Sequence, residues 1–91
     1  MEAVLWYVLT GTRGGANRLR LLRALDERPR NANQIANDLD LDYKTVRHHL
    51  DVLVENGIVE SSGDEYGAVY FLTDETRDHW ETVAEITAEV D

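Results

Sequence analysis

The sequence predicts a mostly helical α+β fold, in which three short helices are followed by one small β-hairpin and a last helix. Apolar residues recur at helical spacing between residues 16 and 58, and two segments rich in β-forming residues follow, separated by a glycine-containing turn. A chain of 91 residues is long enough for one domain. Its predicted parts are an N-terminal segment 1–15, a three-helix core 16–58, a hairpin 59–72 and a C-terminal helix 73–91.

The composition excludes several classes of protein. Hydrophobic residues make up 43% of the chain, as in a folded domain rather than a disordered segment. Cysteine is absent, which excludes disulfides, thiolate metal sites and cysteine nucleophiles. The longest apolar run, Ala3–Leu9, has seven residues, whereas a membrane helix needs about 20. We therefore expect a soluble, cytoplasmic protein that does not associate with a membrane.

The first predicted helix begins after a turn-rich linker. Residues 10–15 contain three glycines and separate the apolar N-terminal run from a helix over residues 16–28. The sequence leaves the conformation of residues 1–10 open. Pro29 ends the helix because it lacks a backbone N–H and clashes with the preceding turn. The inward stripe of this helix is Leu21, Leu22 and Leu25.

Capping residues predict the starts of the next two helices. Asn31 and Gln34 have the spacing of a capping box, in which each side chain covers a backbone N–H at the helix start. They predict a helix over residues 31–40. Asp42 has the chemistry of an N-cap and predicts a third helix over residues 43–56.

The third helix should end in a Schellman motif and bury one face. Gly57 stands where a left-handed residue belongs, and Ile58 supplies the accompanying hydrophobic contact. His49 lies at the edge of the core face, which favours a structural role. The core positions are Val46, Leu50 and Leu53, and the outward positions are Lys44, Arg47, His48 and Asp51.

A hairpin and a final helix complete the predicted fold. Residues 58–62 and 68–72 are rich in β-forming residues and flank a turn, so they predict two paired strands. Thr73 or Asp74 caps a last helix that runs to about Val90. The expected apolar seam of that helix is Trp80, Val83, Ala84 and Thr87, with Ile86 and Val90 beside it.

Three helices, the last two joined by a tight connection, followed by a hairpin form a winged helix-turn-helix. Residues 45–59 also resemble ArsR-like winged helix-turn-helix regulators, whose pattern T-V-x-x-H-L-x-x-L-x-x-x-G-[LI]-V they match. Residues 17–25 are similar to the family's first-helix pattern R-x-x-I-L-x-x-L, and Tyr70–Thr73 to the end of its wing. The resemblance covers residues 14–80, and the opening of the chain, L-W-Y-x-L-T-G-T-R-G-G, is similar to that of short haloarchaeal members.

The resemblance implies a transcriptional regulator that binds double-stranded DNA and reads it with the third helix. A recognition helix enters the major groove by its N-terminal turns, where Arg47 and Lys44 can donate to guanine and His48 can donate or accept. Arginines at the start of the first helix are candidates for phosphate contacts. The predicted DNA-binding residues are Tyr43, Lys44, Thr45, Arg47, His48, Arg13, Arg18 and Arg20. Alternatively, Arg47 and Lys44 are solvated surface charges that pair with Asp51 or Asp42.

The charge of the chain is distributed unevenly. Residues 1–50 contain eight basic and six acidic residues, whereas residues 51–91 contain one basic and twelve acidic residues. The predicted wing tip, which carries Asp64, Glu65 and Tyr66, would repel phosphate, so its contact with DNA stays open. A single lysine beside eighteen acidic residues is typical of salt-adapted proteomes, in which acidity reflects the solvent rather than the partner.

Apolar residues near the two ends of the chain predict a homodimer. These segments carry more apolar surface than three short helices can cover, and a two-fold contact is the commonest way to bury it. The predicted dimer residues are Leu5, Trp6, Leu9, Trp80, Val83, Ile86 and Val90.

Other functions receive less support from the sequence. The main alternative is a winged-helix protein-interaction module that docks a basic partner through its acidic wing and last helix, a role that would not require Arg47 or Lys44. A catalytic or nucleotide-binding motif is lacking, and a small core filled by Leu and Val leaves little room for a pocket. We therefore predict neither an enzyme nor a cofactor. A metal site at Asp74, Asp78 and His79 is a weaker possibility, and no metal is predicted.

Overall fold

The computed structural model describes residues 1–63 and 67–90, which form six helices and a three-stranded antiparallel sheet. The sheet has the order β1-β3-β2, and the helices pack around one core. This architecture confirms the predicted winged helix-turn-helix. The helices are α1 (Glu2–Thr10), α2 (Gly15–Glu27), α3 (Ala32–Leu39), α4 (Tyr43–Glu55), α5 (Asp74–Asp78) and α6 (Trp80–Val90). The strands are β1 (Arg30–Asn31), β2 (Val59–Ser62) and β3 (Val69–Leu72).

The predicted caps of α3 and α4 are confirmed. Asn31 Oδ1 accepts from the Gln34 backbone N–H at 2.8 Å, and Gln34 Oε1 accepts from the Asn31 N–H at 2.9 Å. Asp42 Oδ2 accepts from the Lys44 N–H at 3.0 Å. These bonds satisfy N–H groups that have no partner inside the helix, so they fix where the two helices begin.

The predicted Schellman motif closes α4. Gly57 has a φ of +71°, and its N–H donates to the Val54 carbonyl at 3.0 Å. The N–H of Ile58 donates to the Leu53 carbonyl, also at 3.0 Å, and the Ile58 side chain is fully buried. Both bonds are those that define the motif, and they turn the chain directly from α4 into β2.

A short third strand, β1, was not predicted. Arg30 and Asn31 pair with Tyr70 and Val69 of β3. The Arg30 side chain is buried between α2 and α3, where its Nε donates to Asp38 Oδ2 at 2.8 Å and another guanidinium nitrogen donates to the Ala24 carbonyl. A strand of two residues is too short to show the alternation of apolar and polar residues by which strands are recognised in a sequence.

The N-terminal apolar run forms the helix α1, which belongs to the core of the protomer. It packs against α2 and α6. The prediction that all seven terminal apolar residues line a dimer surface is therefore wrong for four of them, because the core of a single chain already covers their side chains. The four buried residues are Leu5, Leu9, Val83 and Ile86.

The predicted last helix is two helices separated at His79. The His79 ring nitrogen Nδ1 lies 2.9 Å from the Glu75 carbonyl oxygen, which also accepts the His79 backbone N–H. The backbone of His79, with φ −108° and ψ 24°, departs from helical values, and this separates α5 from α6. The predicted cap is confirmed, since Thr73 Oγ1 accepts from the Thr76 N–H at 3.2 Å. Ala84 of the predicted seam is exposed, and its place in the core is taken by Thr82.

Candidate nucleic-acid interface

The helix α4 presents a polar face at its N-terminal end. Tyr43, Lys44, Thr45 and His48 are exposed on its first two turns, and Arg47 is half-buried beside them. The opposite face is anchored, since Val46, Leu50 and Leu53 are fully buried. The core thus holds the predicted base-reading side chains on one rigid element that faces solvent.

Arg47 and Tyr43 form a pair one turn apart. Arg47 Nη1 donates to Tyr43 Oη at 3.2 Å, and the guanidinium carbon lies 6.0 Å from the centre of the Tyr43 ring. This hydrogen bond, with smaller electrostatic contributions led by Tyr70, raises the pKa of Arg47 above its ordinary value. The guanidinium therefore stays positively charged, as an anion-binding group must.

A small cleft adjoins this pair. It has a volume of about 70 Å³ and lies where the first turn of α3, the start of α4 and the strand β3 meet. The residues that line it are Asn31, Ala32, Asn33, Tyr43, Arg47, Gly67, Ala68 and Tyr70. It is too small for a metabolite of ordinary size but can admit the oxygen atoms of one anionic group.

The predicted phosphate contact of Arg18 is wrong for this structure, because its side chain is only 4% exposed. Arg18 Nη2 donates to Thr12 Oγ1 at 3.2 Å and to the Arg13 carbonyl. Burial also lowers the pKa of Arg18. Arg18 therefore fixes the loop between α1 and α2 instead of facing solvent.

His49 on α4 faces the same loop. Its side chain is 5% exposed, and its Nδ1 is buried without a hydrogen-bond partner in the described part of the chain. Gly14, with a φ of +88°, approaches so closely that a Cβ there would lie 2.7 Å from His49 Cε1. Burial, followed by the charges of Arg18 and His48, lowers the pKa of His49. The charged form of the imidazole is thus disfavoured where α2, its preceding loop and α4 meet.

We expect this histidine to make the fold sensitive to acid. The pKa of His49 in the folded state lies below the ordinary value of 6.5. The contribution of neutral His49 to the stability of the fold is therefore complete above pH 6.5 and is lost as the pH falls through the lowered pKa. Thermal unfolding between about pH 7 and pH 5 should show this loss in the wild type. His49→Gln, which cannot titrate, should reduce the slope of melting temperature against pH. Identical slopes for the wild type and His49→Gln would contradict the assignment.

The other predicted phosphate contacts are at the surface. Arg13 is exposed in the loop before α2. Arg20 is also exposed, and its guanidinium donates to Asn17 Oδ1 at 3.1 Å and to the Leu39 carbonyl at 2.9 Å. Arg20 is therefore held at the C-terminal end of α3 rather than extended freely. The predicted wing residues Asp64, Glu65 and Tyr66 lie outside the described residues.

Some apolar surface does remain near the chain termini. Trp6 and Trp80 are half-buried and Val90 is exposed, as a dimer surface requires. Among the residues that the structure describes, Tyr7 is the most exposed large hydrophobic residue, at 65%. A shallow groove between α2 and α6 lies nearby, lined in part by Trp80, Ala84 and Thr87.

The described residues define a winged helix-turn-helix domain, a fold built to present one helix. Residues 16–61, just over half of the chain, match the family described as "Bacterial regulatory protein, arsR family". The chain therefore belongs to the arsR family of bacterial regulatory proteins. No curated protein matches it at a significant level. In residues 1–63 and 67–90 no helix is long and apolar enough to cross a membrane.

Several solved structures share the fold. The homodimeric winged helix-turn-helix DNA-binding domain of a possible ArsR-family regulator from Mycobacterium bovis has a TM-score of 0.76 and 21% identity, over 96% of this chain and 77% of that one. A MarR regulator from Methanosarcina mazei has a TM-score of 0.74 and 20% identity, over 97% of this chain and 66% of that one. The regulator HlyU from Vibrio vulnificus has a TM-score of 0.68 and 22% identity, over 94% of this chain and 81% of that one.

Proposed function

We propose that this protein is a transcriptional regulator that binds double-stranded DNA in a sequence-specific manner, with α4 as the recognition helix. One observation carries the proposal: the first two turns of α4 present donors and acceptors to solvent while the opposite face is locked into the core. Membership of the arsR family supports it, as does the fold shared with a DNA-binding domain from Mycobacterium bovis. The alternative of a protein-docking module receives no support from the comparisons.

The proposed base contacts come from the centre of the exposed face of α4. Lys44 can donate to guanine O6 and N7, Thr45 offers a hydroxyl and a methyl group, and His48 can donate or accept. Tyr43 stands at the edge of this face and is exposed. Arg13 and Arg20 lie on the surface near α2 and are proposed to contact phosphate.

We propose that the active form is a homodimer, as the Mycobacterium bovis domain is described to be. The proposed surface combines half-buried and exposed residues of the terminal helices, namely Trp6, Tyr7, Trp80 and Val90. A two-fold contact of this kind would place two α4 helices about 34 Å apart, so that each meets one of two successive major grooves. We also propose that the acidic surface adapts the protein to concentrated salt, as in the haloarchaeal members that its opening resembles.

Lys44→Ala tests the base-reading role. Lys44 is exposed, so the variant should melt as the wild type does. Loss of a specific base contact costs about 1–3 kcal/mol, so affinity for a preferred duplex should fall about tenfold or more while affinity for a scrambled duplex changes less. Arg77→Ala, which removes one positive charge from α5, is the matched control and should bind both duplexes normally. A Lys44→Ala protein that prefers the preferred duplex over the scrambled duplex as strongly as the wild type does would contradict the assignment of α4 as the recognition helix.

A further inference from the structure

Arg47 lies at the flank of α4 and not at the centre of its exposed face. At about 100° per residue, Lys44 and His48 project within about 40° of each other, whereas Arg47 is turned about 60° from Lys44 towards Tyr43. The contact between Arg47 Nη1 and Tyr43 Oη directs the side chain back along the helix. Arg47 Nε is buried and has no hydrogen-bond partner among the described residues. The side chain is therefore directed towards the cleft beside α4 and is not extended outward.

The cleft combines features that favour one anionic group. Arg47 supplies a positive charge, and in the part of the chain that the structure describes no carboxylate lies within ion-pair distance of it. The first turn of the eight-residue helix α3 contributes Asn31, Ala32 and Asn33 to the lining, at the positive end of a helix dipole. Gly67 supplies backbone without a side chain at the opposite wall.

We propose that this cleft binds a phosphate group of the DNA backbone, with Arg47 as its cation, and that Arg47 does not read a base. The proposal rests on the proposed function, since it requires α4 to lie in the major groove. A helix in that groove has its central residues over the base edges and a phosphate backbone along each flank. Arg47 occupies the flank next to α3 and β3. Arg47 therefore lies beside the phosphate backbone at one edge of the major groove, whereas Lys44 and His48 lie over the base edges.

Arg47→Gln separates a phosphate contact from a base contact. A lost phosphate contact weakens binding to all sequences alike and makes the dependence of affinity on salt less steep. We expect affinity about tenfold lower on a preferred duplex and on every single-base-pair variant of it, with the order of preference unchanged. The slope of log affinity against log salt concentration should become shallower by about 0.9 for each Arg47 lost, and therefore by about 1.8 for the proposed dimer. Arg77→Gln removes the same charge from α5 and should leave both quantities unchanged.

Arg47→Lys covers the case in which Arg47→Gln does not fold. Lysine keeps the positive charge, so the dependence of affinity on salt should be retained. Lysine cannot reproduce the planar pairing with Tyr43, but the order of base preference should still be unchanged because Arg47 does not contact a base. A changed preference at one base pair in either variant would overturn the proposal in favour of base reading. Unaltered affinity and slope in Arg47→Gln would overturn it in favour of a surface charge.

Two further measurements distinguish failure of this inference from failure of the proposed function, and DNA phosphate from free phosphate. A wild-type chain that binds no duplex would contradict the proposed function itself, and with it this inference. Inorganic phosphate alone, added at constant ionic strength, should not raise the melting temperature of the wild type. A rise with phosphate that Arg47→Gln abolishes would show a site for a free anion and would overturn the assignment to the DNA backbone.

Discussion

Gly15→Ala should unfold the domain or lower its melting temperature by about 12–24 °C, since overpacking against backbone atoms should cost about 3 kcal/mol, the upper end of the usual range, and each kcal/mol shifts a domain of this size by about 4–8 °C. Gly15 is the first residue of α2 and is buried where the end of α1 crosses it. A Cβ there would lie 2.7 Å from the Leu9 carbonyl carbon and closer still to its oxygen. Backbone atoms within a helix cannot rotate away, so α1 would have to separate from α2.

Gly57→Ala is the matched control for this prediction. Gly57 has a left-handed backbone with a φ of +71°, but nothing lies within 4 Å of a Cβ placed there. Its substitution should therefore cost only the conformational penalty of about 1–2 kcal/mol. Thermal melts followed by circular dichroism measure both effects. If Gly15→Ala proves more stable than Gly57→Ala, the close crossing of α1 and α2 is not as described.

Raising KCl from roughly 0.1 M to roughly 2 M should stabilise both the fold and the proposed dimer. The chain carries a net charge of −9, and residues 51–91 carry twelve acidic residues against one basic. The Debye length falls from about 30 Å at 0.01 M to about 3 Å at 1 M, so concentrated salt removes repulsion across the whole domain. Melting temperature and sedimentation velocity at the two concentrations measure the effect.

The acidic face of α6 provides the control for the salt effect. Glu81, Glu85 and Glu89 are exposed, so their combined replacement by Gln should leave the core intact. We expect this variant to melt higher than the wild type at low salt and to respond less to added KCl. A wild type that is equally stable and equally monomeric at both concentrations would show that the acidity is not an adaptation to salt.

Local chemistry made the helix bounds of the core predictable. Asn31, Asp42 and Gly57 act within a few residues of themselves, so their caps could be predicted without knowledge of the tertiary structure. The apolar run 3–9 lacks polar residues that would set its helical phase, and its burial depends on α2 and α6. The sequence could therefore not distinguish a core helix from a dimer surface.

Roles within the site depend on individual side-chain contacts, which the apolar periodicity of the sequence does not indicate. The sequence suggests that Arg18 is a surface residue flanking a leucine stripe, but Arg18 is buried and donates to Thr12 and to the Arg13 carbonyl in the loop before α2. Arg30 is fixed by Asp38 and Glu27 after a proline, where no periodicity applies. Arg47 was predicted to face outward with Lys44; its helical phase places it at the flank of α4, and the contact with Tyr43 shows that its side chain turns back along the helix.

Selection of DNA fragments by the purified wild type tests the central claim most directly. Sheared genomic DNA or random duplexes would be captured at high KCl, where nonspecific phosphate binding is weak, and the bound fragments sequenced. A dimer that reads with two α4 helices predicts an enriched, approximately palindromic motif whose half-sites are about one helical turn apart, 10–10.5 base pairs from centre to centre. Lys44→Ala should not enrich it. Recovery of fragments without any common motif, at all salt concentrations tried, would contradict the assignment of α4 as a sequence-reading helix.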